Sequence, residues 1–414
     1  MADIKRHCEK QAQALLKRFP AVLILGVRQC GKTHLSKIIC PQWKYFDLEN
    51  TKDRDFITKD FEFFFKEYPK NLILDEAQEI PELFKNLRGV IDCNRKTNNR
   101  FLITGSSSPT LVTQASDSLA GRVAFLELGT FKTSEVRNKT LSPFFDIFIS
   151  PLKKSSLKFL KSAFSKRKAF NIIPFILKGG YPDPCLSKDK NYFDLWMKNY
   201  FDTYINKDIR KLYSRLDIFR FQRFVSMLAE LSGTIINRAQ IGRALALNEV
   251  SIRDYLDIAN QTFIWRQIPS FTGSKKRSLV KMPKGVLRDS GLINYLLDIR
   301  DKDQFLRSPK ADYIFEAFVI EELLKGLSSK FPAGRWEYSY YRTRNGAEID
   351  LILEGSFGLL PVEIKLSTSV ENRSLIALTQ FLKEHSLPFG VVINHSSEVK
   401  MLSEKIIQIP VSFI

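Results

Sequence analysis

Cysteine is scarce in this chain and badly placed for bonding. Cys8, Cys30, Cys40, Cys93 and Cys185 stand far apart in 414 residues and form no C-x-x-C pair. An odd, scattered set argues against a disulfide framework and a zinc site, and reads as reduced thiols in a cytoplasmic protein. Long apolar runs are missing too, so no segment suffices to span a bilayer. The opening Met1-Ala2-Asp3-Ile4-Lys5-Arg6-His7 lacks the apolar core of a secretory leader. No membrane-spanning role is therefore expected, and neither an internal repeat nor a low-complexity segment is found. Acidic residues are in deficit, 45 against 64 Lys and Arg, for a formal net charge of +19. That surplus implies a polyanionic partner, with nucleic acid first (DNA ahead of RNA) and an acidic membrane surface second. Basicity alone is weak, since it also follows from compositional bias. What is present is a globular composition, 44% hydrophobic and 12% aromatic, with length for roughly two to four domains.

The chain is organised around Gly26-Val27-Arg28-Gln29-Cys30-Gly31-Lys32-Thr33. An apolar run, Ala21 to Leu25, leads into it, and His34-Leu35-Ser36-Lys37-Ile38-Ile39 leaves it with helical spacing. This is G-x-x-x-x-G-K-[ST] in the setting of strand, loop and helix. The glycines permit a tight turn whose N–H groups point at phosphate oxygens. Lys32 reaches the β- and γ-phosphates, Thr33 offers a hydroxyl to Mg²⁺, and the helix start, where His34 sits, favours negative charge. ATP is the expected nucleotide, with the choice between ATP and GTP left open.

Alternating strands and helices follow, arguing for a parallel three-layer α/β sheet. Helices are expected over Lys10–Phe19 and Asp60–Tyr68, and strands over Trp43–Leu48, Phe101–Thr104 and Val123–Leu128. Asn71 to Gln78 reads as a short buried strand ending in Asp75-Glu76. After a P-loop, apolar residues followed by two carboxylates form the Walker B pattern. Asp75 would hold Mg²⁺ and Glu76 would orient or activate the attacking water. Ser106 is placed as a sensor between Walker B and the γ-phosphate, while Ser108 before Pro109 suits a helix N-cap. Arg122 precedes a strand, where it serves either as an arginine finger on a neighbouring subunit's nucleotide or as an ion-pair residue.

Gly26 to Thr33, Leu72 to Gln78, Thr104-Gly105-Ser106 and Leu119-Ala120-Gly121-Arg122 together resemble the AAA-like ATPases of archaea and bacteria. These carry a C-terminal domain of unknown function with a nuclease-like core.

Between residues 131 and 270 the signals are looser. Lys153, Lys154, Lys158, Lys161, Lys166, Arg167 and Lys168 make a basic helix without acidic residues, either a phosphate-contacting face or a solvated one. Tyr192–Tyr213 reads as one long helix whose aromatics serve as core rather than as a base-stacking platform. Helices over Phe219–Ser232, Asn237–Ala246 and Asn248–Leu256, then a strand over Phe263–Ile268, resemble a winged helix. In the family such a module joins the ATPase to the C-terminal domain.

From residue 271 onward a basic stretch (Lys275, Lys276, Arg277, Lys281, Lys284, Arg288) precedes an acidic helix carrying Glu316. Two strands follow, Glu348–Leu353 and Pro361–Leu366. Asp350 lies on the first, and Glu363 and Lys365 share one face of the second. Carboxylates and a lysine gathered on adjacent strands suit a metal-dependent phosphodiesterase. Asp350 and Glu363 would hold Mg²⁺ or Mn²⁺, and Lys365 would position the nucleophile or stabilise phosphoryl charge. The order Glu316, Asp350, Glu363, Lys365 looks like the PD-(D/E)XK nuclease core, in which Glu316 adds a metal-binding carboxylate. Glu-x-Lys on an alternating strand is also an ordinary solvent-facing pattern. Arg342 and Arg344 would contact nucleic-acid backbone or pair with carboxylates.

The expected fold is α/β: an AAA-like P-loop domain (1–130), a helical and winged-helix connector (131–270) and a restriction-endonuclease-like domain (271–414). The expected function is an ATPase coupled to nucleic-acid binding, with metal-dependent nuclease activity. The alternative is a regulatory ATPase switch whose C-terminal domain is an inactive DNA- or protein-binding scaffold. An arginine finger acting in trans would require a homo-oligomer, and a protein partner is the further option.

Overall fold

The computed structural model describes residues 4–106, 109–189, 191–213, 216–272, 282–331, 335–343 and 346–414. Ser108, Lys275, Lys276, Arg277, Lys281 and Arg344, all named above, lie outside the described residues. The chain divides into two units. One comprises Met1–Phe131 with Gln261–Phe263 and Ser328–Ala333, and the other the remainder.

In the first unit, β1 (Ala21–Gly26), β2 (Lys44–Asp47), β3 (Leu72–Asp75), β4 (Phe101–Ser106) and β5 (Val123–Leu128) form a parallel sheet in the order β2-β3-β4-β1-β5. Both faces are covered, so β1 and β3 are buried at every position and read as unbroken apolar runs rather than alternating ones. Leu23, Leu74, Ile103, Phe64, Phe84 and Leu87 belong to its core. The register sets Gly26 beside Ser106 and Asp47 beside Asp75, which brings the carboxyl ends of four strands to one edge. Ligands of open parallel sheets bind along such an edge. The strands expected from sequence are all present, and the helix expected over Asp60–Tyr68 runs Phe61–Glu67 under an Asp60 cap. The helix expected over Lys10–Phe19 runs Glu9–Leu16. Two further helices, Thr51–Lys59 and Leu83–Cys93, join them.

In the second unit, the helix Ile218–Leu231, β6 (Thr234–Ile235), the helices Arg238–Leu245 and Glu249–Gln261, then β7 (Trp265–Ile268) and β8 (Lys284–Leu287) follow in chain order, and the strands form an antiparallel sheet of order β6-β8-β7. The helix expected over Tyr192–Tyr213 is regular only over Tyr192–Thr203. A π-helical stretch, Tyr204–Ile209, interrupts it before Arg210–Leu212. Tyr181, Tyr200 and Tyr204 are buried, with the Tyr181 and Tyr200 hydroxyls 2.9 Å apart, so these rings are core.

The rest of this unit is a mixed sheet in the order β13-β14-β12-β11-β10-β9: β9 (Trp336–Arg342), β10 (Glu348–Gly355), β11 (Gly358–Lys365), β12 (Gly390–Asn394), β13 (Lys400–Ser403) and β14 (Ile406–Pro410). The β9-β10-β11 meander is antiparallel, and β11-β12-β14 run parallel. The helix Ala311–Lys330 carries Glu316 near its start, and the helix Ile376–Glu384 packs Leu378 and Phe381 against Ile349, Ile352 and Val392.

Candidate functional sites

The P-loop begins where β1 runs out at Gly26. A Cβ there would meet the Leu128 carbonyl oxygen at 2.3 Å, so only glycine fits. Gly31, at φ 94°, turns the chain into the helix Lys32–Ile39, a left-handed conformation that glycine adopts without strain. Val27 and Cys30 are buried in the loop, Gln29 and His34 face solvent, and Arg28 approaches Glu49 at 3.8 Å. Arg6 braces the loop from the N-terminal side. Its guanidinium donates to the Cys30 carbonyl at 3.0 Å and to the Gly129 carbonyl at 2.7 Å.

Lys32 is buried and folded back across the loop, its ammonium donating to the carbonyls of Gly26 and Val27 (both 3.3 Å) and to Ser106 Oγ (3.5 Å). Backbone carbonyls are weak partners for an ammonium, and phosphate oxygens are stronger ones. The Thr33 hydroxyl donates to Asp75 Oδ2 at 2.7 Å. This hydroxyl and carboxylate are hard oxygens meeting at one point, the donor set that suits Mg²⁺ completed by phosphate and water. Among the described residues no three His, Cys, Asp or Glu side chains group so as to hold a metal ion.

Asp75 is held from two more directions. Tyr45, on β2, donates to the same Oδ2 at 2.7 Å, and Thr104, on β4, donates to Oδ1. Burial and the Asp75 carboxylate push the Tyr45 phenol up, which keeps it a donor. Glu76 follows with a left-handed backbone, φ 55°, an uncommon conformation for a residue with a side chain and one that concentrates at functional sites. Its Oε2 accepts from Gln78 Nε2 (2.7 Å) and from the backbone N–H and hydroxyl of Ser106 (both 3.0 Å). Burial works against its charge. Lys32, Gln78 and Ser106 outweigh burial and hold the carboxyl below its ordinary range. Ser106 thus touches both Lys32 and Glu76.

Of the residues named from sequence, Lys32, Thr33, Asp75, Glu76 and Ser106 converge. Arg122 is engaged within its own chain: a bidentate pair with Asp92 (2.7 and 2.9 Å) and a bond to the Ala120 carbonyl (2.8 Å). Tyr45 and Thr104, which hold Asp75 in place, are not singled out by the sequence. Their signal was a polar side chain in each strand flanking the Walker B strand. Tyr45→Phe is expected to raise the Mg²⁺ concentration for half-maximal ATP turnover several-fold, leaving metal-free nucleotide binding unchanged. Titrating both quantities in parallel checks it.

In the second unit the four residues picked out by order in sequence also come together. Lys365 Nζ lies 2.6 Å from Glu363 Oε1 and 3.7 Å from Asp350 Oδ2, and Asp350 Oδ2 accepts the Ile364 N–H at 2.7 Å. Glu316 is joined to them through Lys284 on β8. The Lys284 ammonium lies 2.6 Å from Glu316 Oε1, 2.7 Å from Glu348 Oε1 and 3.6 Å from Asp350 Oδ1. Burial pushes Glu316 up to about 8 despite Lys284. Burial, together with Asp350, likewise raises Glu363 to about 8. Glu363 Oε2 is buried with no hydrogen-bond partner. An unsatisfied carboxylate oxygen beside Asp350 fits a hard divalent cation held by one or two carboxylates and waters. Arg342 sits at the rim, 3.8 Å from Glu348. Lys284 was visible in the sequence only as one of a basic run.

Elsewhere, the basic helix expected from sequence is shorter: of the seven exposed cations between Lys153 and Lys168, only Lys154, Lys158 and Lys161 lie on the helix Lys154–Phe164, which buries Leu160 and Phe164, and the other four flank it.

Comparison with known proteins bears on the P-loop site. Residues 18–137 match the AAA domain family. Residues 171–303 and 312–414 each match a domain of unknown function (DUF8612 and DUF4143). An uncharacterised protein of Mycobacterium tuberculosis is 31% identical over 376 residues, which cover 90% of this chain and 76% of the relative. One of Mycobacterium bovis matches equally. An uncharacterised protein of Methanocaldococcus jannaschii is 24% identical over 391 residues, 88% of this chain and 79% of that one. Among solved structures, a Walker-type ATPase of Pyrococcus abyssi aligns with 72% of this chain and 96% of its own at 14% identity and a TM-score of 0.42. The first unit is an AAA ATPase domain, and among the described residues no helix is long and apolar enough to cross a membrane.

Proposed function

We propose, for a chain that belongs to one family with these mycobacterial proteins and carries an AAA domain over residues 18–137, an ATPase coupled to nucleic-acid binding, with phosphodiester cleavage at the C-terminal cluster. In the P-loop the chain's amides and Lys32 bind the triphosphate, Thr33 and Asp75 hold Mg²⁺, and Ser106 reports the γ-phosphate to Glu76. Bound Mg²⁺ supplies neutralisation of phosphate charge. Glu76 orients the attacking water and draws its proton. With Lys32 on phosphate, Glu76 loses one neighbour that favours its ionised form and becomes the stronger base. In an assembly, Arg122 would leave Asp92 to reach a neighbouring nucleotide.

The nucleic-acid half of the reading rests on one observation: Glu316, Asp350, Glu363 and Lys365, from a helix and two strands, meet in one buried cluster with an unsatisfied carboxylate oxygen. We read the β9–β14 sheet and its helices as restriction-endonuclease-like, and the β6–β8 sheet with its three helices as a winged helix. Asp350 and Glu363 would hold Mg²⁺ or Mn²⁺, which supplies an activated water, and Lys365 would orient that water or meet phosphoryl charge. Exposed cations between Lys153 and Lys168 would bind backbone phosphate, with affinity falling as salt rises. The nucleotide state would gate cleavage.

Plasmid nicking in Mn²⁺ and ATP tests the proposal. Wild type is expected to nick and Lys365→Ala to lose most of that activity. If wild type nicks no DNA or RNA substrate, the second reading takes over. In that reading the two lysines neutralise the carboxylates as a structural ionic core, and the C-terminal domain is a binding scaffold switched by ATP.

A further inference from the structure

The acidic cluster contains two cation positions, and they share Asp350. Its Oδ1 faces the Lys284 ammonium at 3.6 Å, and its Oδ2 lies on the side of Glu363 and Lys365. A carboxylate that bridges two neighbouring cations is the arrangement of two-ion phosphodiesterase centres. Here one of the two positions is already filled. Lys284 Nζ draws oxygens from Glu316, Glu348 and Asp350, gathered from one helix and one strand. The ammonium is almost fully enclosed, its side chain 3% exposed. The lysine arrives from β8, in a different sheet from Asp350 and Glu363. It heads a strand buried at all four positions. An ammonium is costly to bury there unless it has ionic partners.

The second position is different. Lys365 reaches Glu363 through Oε1 alone, leaving Oε2 of this buried carboxylate without a partner. Lys365 is also one-third exposed, so its long side chain is free to yield room. The unpaired Glu363 oxygen points to a missing cation on this side, whereas Glu316 Oε1, the other oxygen of the cluster without a hydrogen bond, already faces the Lys284 ammonium at 2.6 Å.

We propose that Lys284 stands as a built-in substitute for a second metal ion, so that the C-terminal cluster takes one divalent cation, between Asp350 and Glu363. The lysine acts as a positioning residue, fixing Glu316 and one oxygen of Asp350. This rests on the reading of the cluster as a metal site, and the following measurement separates the two.

Mn²⁺ is titrated, without nucleotide, into full-length protein while free Mn²⁺ is followed by electron paramagnetic resonance. The ions lost on Asp350→Asn count the cluster and cancel any weak binding at the P-loop. Wild type is expected to lose one ion. Lys284→Gln, compared with its own Asp350→Asn double variant, is expected to lose two, because Glu316 and Glu348 are freed. Lys284→Arg, which keeps the tethered cation, should lose one. A loss of two from wild type, or of one from a natively melting Lys284→Gln, overturns the substitution by lysine while leaving the metal site intact. A loss of none from every variant overturns the metal site itself, and this inference with it. Should Lys284→Gln fail to fold, the wild-type count decides: one supports the inference and two overturns it.

Discussion

Replacing Glu76 by glutamine should lower ATP turnover by about 10²–10⁴-fold, the usual contribution of a positioned general base, while nucleotide affinity stays within a few-fold of wild type. The amide keeps the size of the carboxylate and still accepts from Ser106 and Gln78, so the pocket should keep its shape. What it lacks is the lone pair basic enough to take a proton from water. Lys32→Ala is the complementary control. It removes the ammonium now resting on the Gly26 and Val27 carbonyls, and it should abolish binding and turnover together. Single-turnover hydrolysis beside equilibrium nucleotide binding distinguishes the two variants. If Glu76→Gln hydrolyses ATP at the wild-type rate, the assignment of the base is wrong and the left-handed turn at Glu76 needs another explanation.

The ATP site was legible in the sequence because each of its parts is local. Gly26 to Thr33 encodes a turn, a donor row and a helix start within eight residues, and Asp75-Glu76 ends a run that only a buried parallel strand explains. What lay beyond reading was lateral. Tyr45 meets Asp75 because β2 pairs with β3, and Thr104 because β4 pairs on the other side. No spacing within one strand reveals its neighbours. The same holds for Arg122, whose place before β5 was visible but whose fork closes on Asp92, thirty positions away.

The helices Thr51–Lys59 and Leu83–Cys93 also went unseen in sequence. Thr51–Lys59 buries only Ile57 and so has no apolar stripe to find. Leu83–Cys93 buries Leu83, Phe84, Leu87 and Ile91 at helical spacing, so its signal does lie in the sequence. In the C-terminal half, Glu348 to Lys365 was readable as a hairpin from alternation alone. Lys284 was not, because a lysine in a basic run gives no hint of burial until β8 is set beside the acidic strand.

A Lys132→Met substitution should cost the second unit about 3 kcal/mol of stability, read as a lower urea midpoint for that unit's transition. Lys132 is fully buried. Its ammonium donates to the backbone carbonyl of Glu322 at 2.8 Å and to Glu322 Oε2 at 3.2 Å, and the Thr133 N–H also turns to that carboxylate. Burial pulls the Lys132 pKa down while Glu322 opposes the shift. Methionine fills similar volume, so the loss measures the charge left behind rather than a cavity. Lys325, 3.1 Å from Glu322, softens the loss and keeps it toward the lower end of the range for broken buried pairs. Lys132→Met with Glu322→Gln should recover part of it, because the buried carboxylate then carries no charge, although Lys325 loses its Glu322 partner. Glu322 lies on the helix that also carries Glu316 and Glu321, and Arg266 and Arg288 both close on Glu321. Loosening the Lys132 anchor should therefore weaken Mn²⁺ binding at Asp350 and Glu363 without touching either residue. The double variant should restore both stability and ion binding in part, whereas recovery of stability alone would separate the anchor from the site.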